Sequence, residues 1–296
     1  MNEAEGQKTW GWPVVLYVFL AGLGGGSFLL SFLLVLFGRY APVARIGSLA
    51  APLLVLAGSG MLVLDLGSPT RAFRLFTTSA TFLTSWMIRG AWILFAFVIA
   101  ALAFALPSFA LFDWLPWRQA SGLGFALGVA AAILSLFVTV YPGLLLGVIK
   151  SIPLWNTSAL PPLFFLSGLD TGAAILVFVS LPLASSLGAD FFHLLGVVDG
   201  GLIVLLLVAL GAYVEIVRQT GVVGAASVHL LARPLFLGGA VVSGLLVPLA
   251  LLFVSLATSD IETLRWLDGS AGFLALIGGL LLRWGVIGSG VRIAVR

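Results

Sequence analysis

A chain of 296 residues that is 61% hydrophobic and 8% charged, with a mean hydropathy of +1.22, has too little polar surface for a soluble globular protein. Its 14 Lys and Arg against 11 Asp and Glu leave a net charge of +3; on so few charges the basic balance speaks to membrane topology rather than to nucleic-acid binding. There is no cysteine, which excludes a thiolate-held iron–sulfur cluster and c-type haem in this protein.

Eight apolar runs follow one another, at 12–37, 46–66, 87–107, 121–149, 162–187, 191–214, 234–257 and 270–291. A run of about 20 apolar residues crosses the hydrocarbon core as a helix, because lipid offers free backbone groups no partner. The expected fold is therefore an all-α polytopic membrane protein. The first run is expected to be retained rather than cleaved: it is too long for a signal peptide, Glu3 and Glu5 precede it, and no small-residue cleavage site ends it. The connections are short, so extrinsic chemistry is expected from another protein.

Eight crossings put both termini on one side. That side collects Lys8, Arg71, Arg74, Arg89, Lys150, Arg218, Arg233, Arg283, Arg292 and Arg296, against Arg39, Arg45, Arg118 and Arg265 opposite, where Asp113, Asp190, Asp260, Glu262 and Asp268 also fall. The positive-inside rule then places the termini in the cytoplasm. The two histidines, His193 at one end of the sixth helix and His229 in the loop at its other end, start on opposite sides of the membrane. They are not expected to clasp a haem, and no metal site is expected.

The polar residues gather on the terminal side. The first helix brings Trp10, Trp12 and Tyr17 there; the 2–3 connection carries Asp65, Arg71, Ser85 and Arg89, with Gly67 and Pro69 as breakers; the 4–5 connection carries Tyr141-Pro142-Gly143 and then Trp155-Asn156. Aromatic rings, hydroxyls, a carboxylate and guanidinia at one interface suit a ring with polar carbonyls and a greasy tail, which is a quinone. Tyr141 is the preferred hydrogen-bond donor. Asp65 is the candidate proton exchanger, held by Arg71, and Tyr17, Ser85, Arg89, Trp155 and Asn156 are further candidate contacts. The competing reading is structural: Trp and Tyr at helix ends form an interfacial belt, and Asp–Arg pairs pin loops.

Three charges fall within the apolar runs. Asp170 lies about 12 Å into the fifth helix, Asp199 about 12 Å into the sixth from the other face, and Arg283 is in the last. Buried charge at depth is costly, so these are candidates for a proton route, or for an ion pair that holds the second half together. The Gly-x-x-x-Gly spacings Gly22–Gly26, Gly124–Gly128 and Gly196–Gly200 predict tight helix contacts. A transporter or ion-translocating subunit working through Asp170, Asp199 and Arg283 is the alternative function; the gathering of polar groups at an interface favours quinone chemistry.

The order Trp12-Pro13, Tyr17, Gly22-Leu23-Gly24-Gly25-Gly26, Asp65-Leu66-Gly67-Ser68-Pro69-Thr70-Arg71, Ser85-Trp86-Met87, Gly90-Ala91-Trp92, Tyr141-Pro142-Gly143, Pro153-Leu154-Trp155-Asn156 and Gly278-Gly279-Leu280-Leu281-Leu282-Arg283 resembles the NrfD family, which includes the membrane subunit of polysulfide reductase. The resemblance covers essentially the whole sequence. It implies two four-helix bundles, here 1–150 and 151–296, with no cofactor of their own. It further implies a site for menaquinone or ubiquinone facing an extrinsic ferredoxin-like iron–sulfur subunit, which in turn serves a molybdopterin catalytic subunit. Tyr141 matches the family's quinone-contacting tyrosine, Tyr17 a first-helix position where relatives have histidine, and Asp65 and Arg71 the acidic and basic positions of the 2–3 loop. Val14 stands where a polar neighbour of that site is expected. In much of the family the motif side faces outward, whereas the charges of this sequence place it inside.

Overall fold

The computed structural model describes residues 10–65 and 85–292. Every regular element among them is helical, and eight of the helices are long and apolar enough to cross a membrane. They are α1 (Trp12–Leu36), α2 (Ala41–Asp65), α3 (Trp86–Ala105), α4 (Gly122–Gly147), α5 (Leu160–Ser180), α6 (Ala189–Arg218), α7 (Leu235–Ser255) and α8 (Ile261–Gly288). A short apolar helix, Val222–Leu231, lies between α6 and α7, so His229 is helical rather than in the loop expected for it.

Local signals set the ends. Pro13 occupies the first turn of α1, where its missing N–H is no loss. Ser85 caps α3 by accepting from the Ile88 amide, and Ser121 caps α4 by accepting from the Gly124 amide at 3.1 Å. Asp260 caps α8, accepting from the Thr263 amide at 2.9 Å and its hydroxyl at 2.6 Å. Those bonds hold the Asp260 carboxyl below its ordinary range, so the stability it lends is present at neutral pH and lost as pH falls through the lowered pKa. The start of α7, Leu235–Leu246, is wound as a π-helix before the α-helical stretch Val247–Ser255.

Packing follows two circuits. In one, α1 meets α2, α2 meets α3, α3 meets α4, and α4 returns to α1; in the other, α5 meets α6, α6 meets α7, α7 meets α8, and α8 returns to α5. The circuits join where α1 lies along α5, with α4 also against α5 and α1 against α8. The joint is built of glycine: a methyl group at Gly26 would strike the Gly168 carbonyl, one at Gly172 the backbone of Gly26 and Ser27, and one at Gly22 the Arg283 guanidinium. Small residues let two backbones touch where lipid supplies no hydrophobic drive to hold helices together. Gly128 likewise admits the rings of Phe32 and Phe104. Gly196 and Gly200 differ: a methyl on either meets its neighbours at 3.7 and 3.8 Å, ordinary contact, so that pair makes no close approach.

The 4–5 connection is packed rather than draped. Ile152, Leu154 and Trp155 are buried, the Tyr213 hydroxyl of α6 donates to the Leu154 carbonyl at 2.6 Å, and the Trp155 indole donates to the Val286 carbonyl of α8 at 2.9 Å. Two of the charges that mark topology in the sequence also belong to the interior. The last helix begins at Ile261, nine residues before the expected run, so Asp268 lies inside it, 1% exposed, and Arg283 is buried to the same degree.

Candidate functional site

At the terminal-side ends of α1 to α4 a cavity of about 240 Å³ opens, lined by Trp10, Val14, Tyr17, Val18, Leu62, Asp65, Met87, Ala91, Leu94, Tyr141, Pro142 and Leu145. Three helices, α1, α2 and α4, thus deliver Tyr17, Asp65 and Tyr141 to one space, and α3 closes it with aliphatic wall. Asp65 is the last residue of α2 and exposed; Tyr17 and Tyr141 are buried, at 2% and 4% exposure.

The two phenols are in different states. The Tyr141 hydroxyl donates to the Trp86 carbonyl at 3.0 Å, so its proton is committed to the first turn of α3. The Tyr17 hydroxyl makes no hydrogen bond among the described residues, although it lies within electrostatic range of Tyr141. Gly90 makes room for the Tyr141 ring: a methyl group there would overlap the ring and its hydroxyl. Gly90→Ala should therefore displace Tyr141 without altering its chemistry. Thermal unfolding and ligand titration should show a loss of roughly 1–3 kcal/mol in stability, as for overpacked cores, together with weaker occupancy of the cavity.

The other expected contacts lie outside this lining. Ser85 serves as the cap of α3. Arg89, half-buried, stacks over the Trp86 ring at 5.0 Å. Trp155 backs the cavity at one remove, its ring 5.4 Å from that of Trp10 while its N–H is spent on Val286. The Asn156 amide donates to the Gly147 carbonyl, and Asn156 lines a shallow surface depression with Trp86, Leu144, Gly147, Val148, Thr157 and Ser158. Arg71 lies outside the described residues. Val14 lines the cavity as an apolar residue at the position where a polar one was expected.

A second polar constellation runs through the other half. Arg283 donates to the Ser167 hydroxyl and the Gly279 carbonyl, both at 2.9 Å, with its guanidinium 5.5 Å from the Phe19 ring and 5.7 Å from the Phe164 ring. Asp170 is fully buried, and both its oxygens lack a hydrogen-bond partner among the described residues; one oxygen each of Asp199 and Asp268 is in the same condition. The expected ion pair is not made as a direct contact. Asp170 lies within electrostatic range of Arg283, and Asp199 within that of both Asp170 and Asp268. Asp268 in turn faces Ser255 and His193, whose Nε2 is 2.8 Å from the Thr258 carbonyl. A carbonyl only accepts, so that nitrogen carries the proton. By their places along α5, α6 and α8 these groups lie at successive depths, with Arg283 near the terminal side, Asp170 and Asp199 at the middle, and Asp268 and His193 nearer the far face. Sequence reasoning finds the first three. Asp268 is missed because the start of its helix lies earlier than hydropathy suggests; the signal for it is a third carboxylate close to an apolar run.

A multi-pass membrane protein whose described regular elements are all helical, with an interfacial cavity of this make-up, defines the class. Residues 1–294 match the family described as polysulphide reductase, NrfD, and the protein belongs to that family. It is 31% identical over 185 residues to a polysulfide reductase chain of Wolinella succinogenes, an alignment covering 57% of each. It is 29% identical over 196 residues to protein NrfD of Escherichia coli, covering 56% of this sequence and 58% of that one. With a selenate reductase subunit of Mesobacillus selenatarsenatis the identity is 24% over 219 residues, covering 60% and 49% respectively. The matched region thus spans about half the length of these curated relatives.

Proposed function

We propose that this protein is the quinone-reactive membrane subunit of a respiratory reductase, exchanging electrons between menaquinone or ubiquinone in the membrane and an extrinsic iron–sulfur subunit. The observation that carries the reading is the interfacial cavity that unites Tyr17, Tyr141 and Asp65. A ring bound there has two phenols beside it, a carboxylate at the mouth for the proton, and apolar walls for its tail. The names of two relatives, a polysulfide reductase and a selenate reductase, support a partner that reduces or oxidises a small inorganic compound. A molybdopterin enzyme fits that role. The partner docks on the terminal side, over the depression that Trp86 and Asn156 line next to the cavity. The excess of positive charge supports a cytoplasmic position for that side, in a prokaryotic plasma membrane. The division of labour follows residues 1–150 for the quinone and 151–296 for the buried column.

The column supports a second element of the same function. Unpartnered carboxyls at mid-depth are expensive unless they serve transfer. Asp170, Asp199 and Arg283, continued by Asp268 and His193, supply a route for protons between the cavity side and the far face.

The test is binding of a quinol analogue to the purified protein with its native partners, comparing wild type with Tyr141→Phe and Asp65→Asn. Wild type is expected to bind and Tyr141→Phe to lose roughly 1 kcal/mol, the net worth of a buried hydrogen bond. Absence of binding by the intact wild-type complex would end the quinone reading and turn attention to ion transport through the column.

A further inference from the structure

The two phenols of the cavity differ in what they offer a ligand. Tyr141 is a donor already spent: its single proton lies on the Trp86 carbonyl at 3.0 Å, which leaves only lone pairs facing the cavity. Tyr17 is the reverse. It is 2% exposed, lines the same cavity, and its hydroxyl has no partner among the described residues, so its proton is available. Both line the one cavity, so a single bound ring lies against the two phenols.

We propose, building on the quinone reading above, that this pair reads the redox state of the ring by accepting at Tyr141 and donating at Tyr17. A hydroxyl oxygen satisfies both phenols: it donates its proton to the Tyr141 oxygen and accepts that of Tyr17. A carbonyl oxygen only accepts. It takes the Tyr17 proton, but opposite Tyr141 it sets lone pair against lone pair, unless Tyr141 gives up its bond to Trp86. The cavity therefore prefers the hydroquinone to the quinone, and Tyr141 is the residue that confers the preference. Tyr17 contributes affinity to both forms alike. Gly90 is part of the device, because the ring of Tyr141 reaches the Trp86 carbonyl only across a residue without a side chain.

The experiment measures equilibrium binding of menadiol and menadione, without oxygen, to the full-length protein in lipid nanodiscs. One net hydrogen bond corresponds to about a five-fold difference, so wild type should bind menadiol about five-fold more tightly. In Tyr141→Phe the ratio should fall to about one, through loss of menadiol affinity alone. In Tyr17→Phe both ligands should weaken by a similar factor and the ratio should persist. Equal binding of the two forms by wild type, a preference for menadione, or a ratio that survives in Tyr141→Phe overturns the assignment while leaving a quinone site standing. Should neither form bind wild type, the quinone reading itself falls and this inference with it. The Tyr17→Phe comparison keeps the assignment open to refutation even if Tyr141→Phe proves unstable, since a collapse of the ratio there would give the discrimination to the wrong phenol.

Discussion

Gly26→Val should yield little folded protein, and Gly172→Val should behave the same way. At both positions the atoms in the path of a new side chain are backbone: the Gly168 carbonyl and Leu169 amide for Gly26, the Gly26 and Ser27 backbone for Gly172. Backbone does not swing aside as the end of a flexible side chain does. The helices must separate instead, opening the contact of α1 with α5 that joins the two circuits. Overpacking costs about 1–3 kcal/mol where neighbours yield, and these sites should fall at the top of that range or above it. Thermal unfolding of protein in detergent measures the effect. Gly60→Ala, in α2 with none of the described residues near the added methyl, is the control and should be neutral or slightly stabilising. If both classes of variant unfold at the same temperature, the glycine joint is not what holds α1 on α5.

Arg283→Ala should cost about 2–5 kcal/mol, the range seen when a large buried side chain is cut back to alanine. The side chain is fully inside the protein, held by Ser167 and Gly279 and flanked by Phe19 and Phe164, and it is the cation that faces Asp170. Its loss leaves a cavity, a free Ser167 hydroxyl and an uncompensated carboxyl together. Arg283→Lys keeps the charge but not the planar fork, and should recover only part of the stability. Asp170→Asn separates structure from transport. It nearly preserves shape, so the protein should fold and bind quinol analogues as wild type does. In liposomes holding the intact complex, quinol-driven proton movement should drop to background. Unchanged proton movement in Asp170→Asn would make the column a structural feature.

Much of the candidate site is legible in the residues, because polar groups in so apolar a sequence are conspicuous and helical phase limits where they can point. Tyr17, Asp65 and Tyr141 come from three separate segments and do share a cavity. Individual hydrogen bonds are not legible in the same way. Tyr141 is expected to be the free donor, but the Trp86 carbonyl, 55 residues away, takes its proton, and Tyr17 is the unspent phenol. Trp155 is expected at the ligand; its N–H is claimed by Val286, 131 residues on. Ser85 is expected there too, and caps a helix. The bonds of Tyr141 and Trp155 depend on partners that no local pattern specifies.

The buried column shows the same division. Asp170 and Asp199 stand out in any apolar helix, but Asp268 follows Asp260, Glu262 and Arg265 closely enough to read as part of a polar loop. Only the early start of α8, fixed by the Asp260 cap, carries it inside. By itself the sequence determined that this is a membrane protein of long apolar spanning helices, eight of them among the described residues, with polar groups gathered on one face, since apolar length, charge count and the cost of unpaired backbone in lipid are properties of composition and spacing. The tertiary structure decided which polar groups meet and which are already satisfied. Those outcomes depend on the approach of α1 to α5 at bare glycine backbone and on single hydrogen bonds across dozens of residues, and both are set by helix packing in three dimensions.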